Sequence, residues 1–218
     1  MAVSSAAALL ADPAELARFG PVIPVIVIER AADAVPMAQA LVEGGVRVLE
    51  VTLRTAAALP SIEAIARAVP EAIVGAGTVK NAADAQAAKN AGARFAVSPG
   101  CTEGVVAACR DAGLALLPGA ATASEVMRAT ELGFRFLKFF PASAAGGVAM
   151  LKSWASPFAD IGFCPTGGID AASAPSYLAL ANVKVVGGSW LTPAEALAAG
   201  DWPRITALAR AASGLRQA

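Results

Sequence analysis

Apolar positions in this chain gather into eight short, nearly unbroken runs. They are PVIPVIVIE (21–29), VRVLEVTL (46–53), AIVGAGTV (72–79), RFAVSPG (94–100), LALLPG (114–119), FRFLKFFP (134–141), GFCPTGG (162–168) and VKVVGGSW (183–190). Runs that are continuously apolar, without strict alternation, suit strands covered on both faces of a parallel sheet. Between them lie alanine-rich stretches of helical character, such as ADAVPMAQALVEGG and NAADAQAAKNAGA. In the second, Asn81 stands where an N-cap is wanted and Gly92 where a helix stops. The runs begin roughly 20 to 28 residues apart, the length of a compact βα unit.

Eight strands alternating with helices predict an α/β protein built as a (β/α)8 TIM barrel. The competitor is a doubly wound open sheet. Such a sheet usually carries a glycine-rich fingerprint after its first strand, and PVIPVIVIERAAD has no glycine there. At 218 residues and 56% hydrophobic composition the chain can build one large core, so residues 1–218 are expected to form a single domain. The opening segment MAVSSAAALLADPAELARFG reads as an extra amphipathic N-terminal helix ahead of the barrel. It has no positively charged start, and Asp12 interrupts its apolar stretch, so it does not read as a signal peptide. No run of about 18 uncharged apolar residues suggests a membrane span, and the cytoplasm is the expected location. Seventeen basic residues balance seventeen acidic ones, and no basic run appears, which argues against a nucleic-acid partner.

Histidine is absent, and Cys101, Cys109 and Cys164 form no CxxC. A metal site has almost nothing to use, and the cysteines read as isolated thiols. No metal or other cofactor is expected. Barrel chemistry takes place at the C-terminal ends of the strands. Those ends hold Glu50, Thr52 and Arg54 in the second run, Thr78 in the third, and Ser98 and Pro99 in the fourth. The sixth supplies Lys138 and Phe140, the seventh Thr166, Gly167 and Gly168, and the eighth Gly187, Gly188 and Ser189.

Lys138 poses the sharpest question, because it stands inside FRFLKFFP, where a dry charge costs several kcal/mol. Strand periodicity puts Val48, Glu50, Thr52 and Arg54 on one face, and Phe136, Lys138 and Phe140 on another. Glu50 and Lys138 each lie four residues into their strand, roughly 13 Å along at about 3.3 Å per residue. Two even-numbered barrel strands can bring both to one interior layer, although both faces are buried and periodicity alone leaves the inner one open. One reading is an ion pair without chemistry. The other is a lysine whose apolar surround, helped by Arg54, favours the neutral amine. A neutral amine attacks a ketone to form a Schiff base, and a neighbouring carboxylate carries the protons. Arg54 offers a planar fork for a substrate carboxylate, or else a rim salt bridge. Thr78 either assists it or caps the strand.

The paired glycines of PTGG and VGGS stand after the seventh and eighth strands, where barrels often bind phosphate through backbone N–H groups. Ser189 adds a hydroxyl. Together these positions suit a 2-keto acid with a phosphate at its far end. A barrel isomerase or synthase without covalent catalysis, and a phosphate-ligand binding protein, are the rival readings.

GVRVLEVTLR (45–54) and GFRFLKFFPASAAG (133–146) resemble the two signature stretches of the 2-keto-3-deoxy-6-phosphogluconate (KDPG) aldolases, a family that includes 4-hydroxy-2-oxoglutarate aldolases. GAGTV, SPG, FCPTGGI and GGSWL extend the likeness over nearly the whole chain. The resemblance implies a class I aldolase on a (β/α)8 barrel, a homotrimer without metal, splitting the phosphorylated sugar acid to pyruvate and glyceraldehyde 3-phosphate in the Entner–Doudoroff pathway. It assigns Lys138 the Schiff base and Glu50 the acid/base role. Arg54, Thr78, Pro99 and Phe140 then surround the pyruvyl part, while Gly167, Gly168 and Ser189 hold phosphate. Thr166 matches a threonine linked to stereochemical choice. Lys80, after GAGTV, replaces an expected apolar residue and reads as a solvated rim charge.

Overall fold

Each of the eight apolar runs contains a strand in the computed structural model, which describes residues 12–215. The strands are β1 (Val22–Ile26), β2 (Val48–Thr52), β3 (Ile73–Gly77), β4 (Phe95–Val97), β5 (Ala115–Leu117), β6 (Gly119–Ala120), β7 (Phe136–Phe139), β8 (Gly162–Pro165) and β9 (Val186–Gly188). Helices α1 (Ala34–Glu43), α2 (Ala58–Ala68), α3 (Ala82–Asn90) and α4 (Glu103–Asp111) separate the first five. Then come α5 (Ala123–Glu131), α6 (Gly147–Trp154) and α7 (Ala174–Leu178), with α8 (Ala194–Ala199) and α9 (Trp202–Ser213) closing the chain. Asn81 caps α3 by accepting from the Asp84 N–H at 2.9 Å, and Thr122 with Glu125 forms a capping box on α5.

All pairings between these strands are parallel, and the sheet curls. The ladders fall into two groups, a six-stranded β5-β4-β3-β2-β1-β9 and a three-stranded β6-β7-β8. A single continuous eight-stranded ladder is not what the pairing gives. The fifth run breaks because Pro118 has no N–H to donate. Its carbonyl still accepts from Lys138 N–H at 2.8 Å, so the chain passes from one sheet to the other there. On the other side, isolated bridges join Phe163 to Val183 and Thr166 to Gly187.

Alternation along the strands sorts the core into two layers. Ile23, Val48, Ile73, Phe95, Phe136, Cys164 and Val185 pack together on the concave side, while Leu49, Val51, Leu137 and Phe139 face the helices. Leu16 joins the concave layer from a 3-10 helix, Pro13–Phe19, capped by Asp12 and started by Pro13. It packs with residues that begin strands and so plugs the N-terminal end, where burying one leucine contributes about 2 kcal/mol. The described part of the expected opening helix is thus 3-10, not α, and residues 1–11 lie outside the described residues. Among the described residues no helix is long and apolar enough to cross a membrane.

Candidate active site

Because Val48 and Phe136 belong to the concave layer, strand periodicity carries Glu50 and Lys138 onto the same side. Lys138 Nζ lies 3.3 Å from Glu50 Oε1, and each residue is only 3% exposed. The Phe140 ring centroid stands 5.1 Å from the same nitrogen. Of the five lysines in the chain, Lys138 is the one buried. Desolvating both members of such a pair offsets most of their attraction, so the pair is a poor stabiliser. What it supplies is an amine held dry, with a carboxylate beside it.

Arg54 stands at the exposed mouth, and its Nε donates to Thr78 Oγ1 at 3.1 Å. Thr78 has φ +63°, the only positive φ outside glycine among the described residues. A β-branched residue in the left-handed region is strained by about 1–3 kcal/mol. That strain is held where the hydroxyl meets the arginine. Arg54, Lys138 and Phe140 line a cavity of about 210 Å³ together with Thr166, Gly167, Gly168, Gly188 and Ser189.

Gly167 and Gly168 take φ of +100° and +72°, a double left-handed turn that glycine adopts without strain. A β-carbon on Gly168 would sit 2.6 Å from Ser143 Cβ. Thr166 is buried, and its hydroxyl donates to the Cys164 carbonyl at 3.3 Å. Pro99 does not line the cavity. It is exposed at the end of β4, its carbonyl pressed against Gly119, where any β-carbon would collide with it. Lys80 is exposed, as a solvated rim charge should be. Among the described residues no group of three His, Cys, Asp or Glu could hold a metal ion.

Sequence patterns gave no warning of three further neighbours. Val25 pairs in register with Glu50 and lines the cavity with Val27, which is 37% exposed at the mouth. A wider cavity of about 500 Å³ adjoins through Val25, Val27 and Ser189, walled by the Arg30–Asp33 ion pair and Leu197. Cys164 pairs in register with Lys138, and its Sγ lies 3.8 Å from Thr166 Oγ1. Burial pushes its thiol up from 9.0 to about 12, with Lys138 and Thr166 pulling the other way and the Glu50 charge adding to the rise. A thiol whose folded value is raised stabilises the fold below the unfolded value and loses that contribution as the pH climbs through the window. Melting temperature should therefore fall between pH 9 and about 12, and Cys164→Ala should fall less steeply. Equal slopes in thermal melts of the two proteins would contradict this.

The family model for KDPG and KHG aldolases matches residues 14–208. The KHG/KDPG aldolase of Escherichia coli K12 is 56% identical over 88% of this chain and 91% of its own length. The KDPG aldolase of Legionella pneumophila, solved with pyruvate captured as a covalent carbinolamine, superposes with a TM-score of 0.90 at 45% identity, covering 93% of this chain and 98% of that one. The KDPG aldolase of Zymomonas mobilis ZM4, solved with 3-phosphoglycerate, gives a TM-score of 0.88 at 50% identity over 94% and 96%. A buried lysine–glutamate pair beneath an arginine therefore sits in a chain that belongs to the KDPG and KHG aldolase family.

Proposed function

We propose that this aldolase cleaves 2-keto-3-deoxy-6-phosphogluconate to pyruvate and glyceraldehyde 3-phosphate through a Schiff base on Lys138. The observation that carries the proposal is the dry Lys138–Glu50 contact of 3.3 Å, with Lys138 on the wall of a cavity that Arg54 also lines. The amine attacks the C2 ketone, and the carbinolamine loses water to give an iminium. That iminium withdraws the electron pair of the C3–C4 bond as it breaks, leaving the pyruvate enamine and releasing the aldehyde. Glu50, within hydrogen-bond reach of the amine, takes a proton from the adding amine and gives one to the hydroxyl that leaves as water. It then accepts the C4 hydroxyl proton as the C3–C4 bond breaks and returns one to the enamine carbon, after which water hydrolyses the pyruvate iminium and frees Lys138. Arg54, steadied by Thr78, binds the carboxylate as a fork. Backbone N–H groups at Gly167, Gly168 and Gly188, with the Ser189 hydroxyl, receive the phosphate. Thr166 and Phe140 border the reacting carbons, and Pro99 acts through the backbone beside Gly119.

The captured carbinolamine and the bound phosphoglycerate of the Legionella and Zymomonas relatives support both ends of this assignment. The same reading takes residues 1–218 as one cytoplasmic domain whose two sheets complete an eight-membered (β/α)8 barrel, with the strand through Pro118 counted once. It also takes the assembly to be a homotrimer, which light scattering tests directly. The double name of the E. coli relative favours a second substrate, 4-hydroxy-2-oxoglutarate, which the same lysine would split to pyruvate and glyoxylate.

The two ends of the site separate experimentally. Gly168→Val forces a branched residue into a left-handed turn against Ser143. It should lower kcat/KM on the phosphorylated substrate by roughly 10²-fold or more, the loss of two or three hydrogen bonds to an anion at about 1.5–3 kcal/mol each. Pyruvate adduct formation and 4-hydroxy-2-oxoglutarate cleavage should fall much less. Equal losses on all three would remove the phosphate from this turn.

A further inference from the structure

Gly77 ends β3, and nothing in its backbone calls for glycine. Its φ lies outside the left-handed region, and the β2–β3 register runs unbroken from Val48↔Ile73 to Thr52↔Gly77, so it marks neither a turn nor a bulge. Glycine inside a strand weakens it, and the usual remaining reason for one is close approach by another group. That group is Glu50. A β-carbon at position 77 would lie 2.7 Å from Glu50 Cγ and 2.9 Å from Cδ, and closer still to Oε1. Oε1 is the oxygen that stands 3.3 Å from Lys138 Nζ. Glu50 itself pairs in register with Gly75, two residues earlier. Its side chain leans along the strand direction, as strand side chains do, and lays its carboxyl over Gly77. At Gly75 the vacant position is filled by the Phe95 ring instead.

We infer that Gly77 is a positioning residue for the aldol chemistry, its missing side chain forming the seat that lets the Glu50 carboxylate reach the Lys138 amine. The inference rests on Glu50 being the proton carrier. Any side chain at 77 displaces the carboxylate from the amine while leaving Lys138 on β7 where it is. The expected signature is selective: adduct formation survives and proton transfer fails.

The test is a double-mutant cycle of Gly77→Ala with Glu50→Ala, read by kcat for cleavage, by the amount of pyruvate adduct trapped with borohydride, and by thermal melting. Gly77→Ala should lower kcat by on the order of 10²-fold or more, as loss of a placed general acid or base does, with the trapped adduct still forming. In the Glu50→Ala background, where the colliding atoms are gone, the same substitution should change kcat by less than about twofold. Should Gly77→Ala fail to fold alone, the double variant should melt no lower than Glu50→Ala, since the three atoms nearest the added carbon all belong to Glu50; a further drop on that background would overturn the inference. So would a Gly77→Ala enzyme of unchanged kcat, or an equal loss in both backgrounds. A wild-type enzyme with no cleavage activity would instead sink the aldolase reading on which the inference rests.

Discussion

Lys138→Ala should remove cleavage almost completely, with kcat falling on the order of 10⁴–10⁶-fold, the range reached when a covalent nucleophile is deleted. The step lost has no substitute in the site. Among the described residues no other lysine is buried, and Arg54, the remaining cation lining the cavity, carries a delocalised guanidinium that is no nucleophile for a carbonyl. A phosphate-ligand binding protein predicts the opposite, namely ligand affinity and behaviour unchanged by this substitution. Removing one partner of a buried ion pair also costs about 3–5 kcal/mol of stability. The rate is therefore measured on protein shown by melting to be folded at the assay temperature. Retention of even one-tenth of the wild-type rate by folded Lys138→Ala would exclude Lys138 as the nucleophile.

Glu50→Gln should lower kcat by about 10²–10⁴-fold, the usual contribution of a positioned general acid or base. The amide matches the carboxylate in volume, so the seat over Gly77 stays filled and the Lys138 contact is kept. What disappears is the ability to accept and return a proton. The amine remains in place, so borohydride should still trap pyruvate on the variant, more slowly because carbinolamine dehydration also needs proton transfer. A variant with the full cleavage rate would take Glu50 out of the proton path. A variant that traps nothing even after prolonged incubation would show that the amine itself has lost its place, and that Glu50 holds the lysine.

The strands were legible because a parallel sheet buried on both faces leaves continuous apolar runs, and all eight runs contain strands. The Glu50–Lys138 meeting was legible too, through period two and the shared depth of the two residues in even-numbered strands. Which face was concave was not, because Leu49 and Glu50 are equally buried and only packing distinguishes helix side from interior. Pro118 splitting the fifth run follows from a missing donor, yet LALLPG reads as a strand that merely ends at Pro118. The 3-10 turn at Pro13–Phe19 escaped because its apolar positions serve helix and turn alike.

At the site, residues that act through side-chain chemistry were visible, as were glycines paired at strand ends, whereas a lone glycine that makes room for a neighbouring strand's side chain was not. Lys138, Glu50 and Arg54 declare themselves as charges among apolar neighbours. Gly77 does not, since its reason is a carboxyl arriving from the adjacent strand. Thr78 could be named by resemblance, but its left-handed backbone and its bond to Arg54 are tertiary facts. Pro99, which the resemblance put around the substrate, is exposed beyond the end of β4 with its carbonyl against Gly119, and like Glu50 and Thr78 it is not among the residues lining the cavity.

The most direct measurement is borohydride reduction of the wild-type enzyme with pyruvate, followed by peptide mass mapping. One reduced pyruvate per chain is expected, carried by the peptide that contains Lys138. An adduct on Lys80, Lys89, Lys152 or Lys184, or no adduct in an enzyme that still cleaves substrate, would contradict a Schiff base on Lys138.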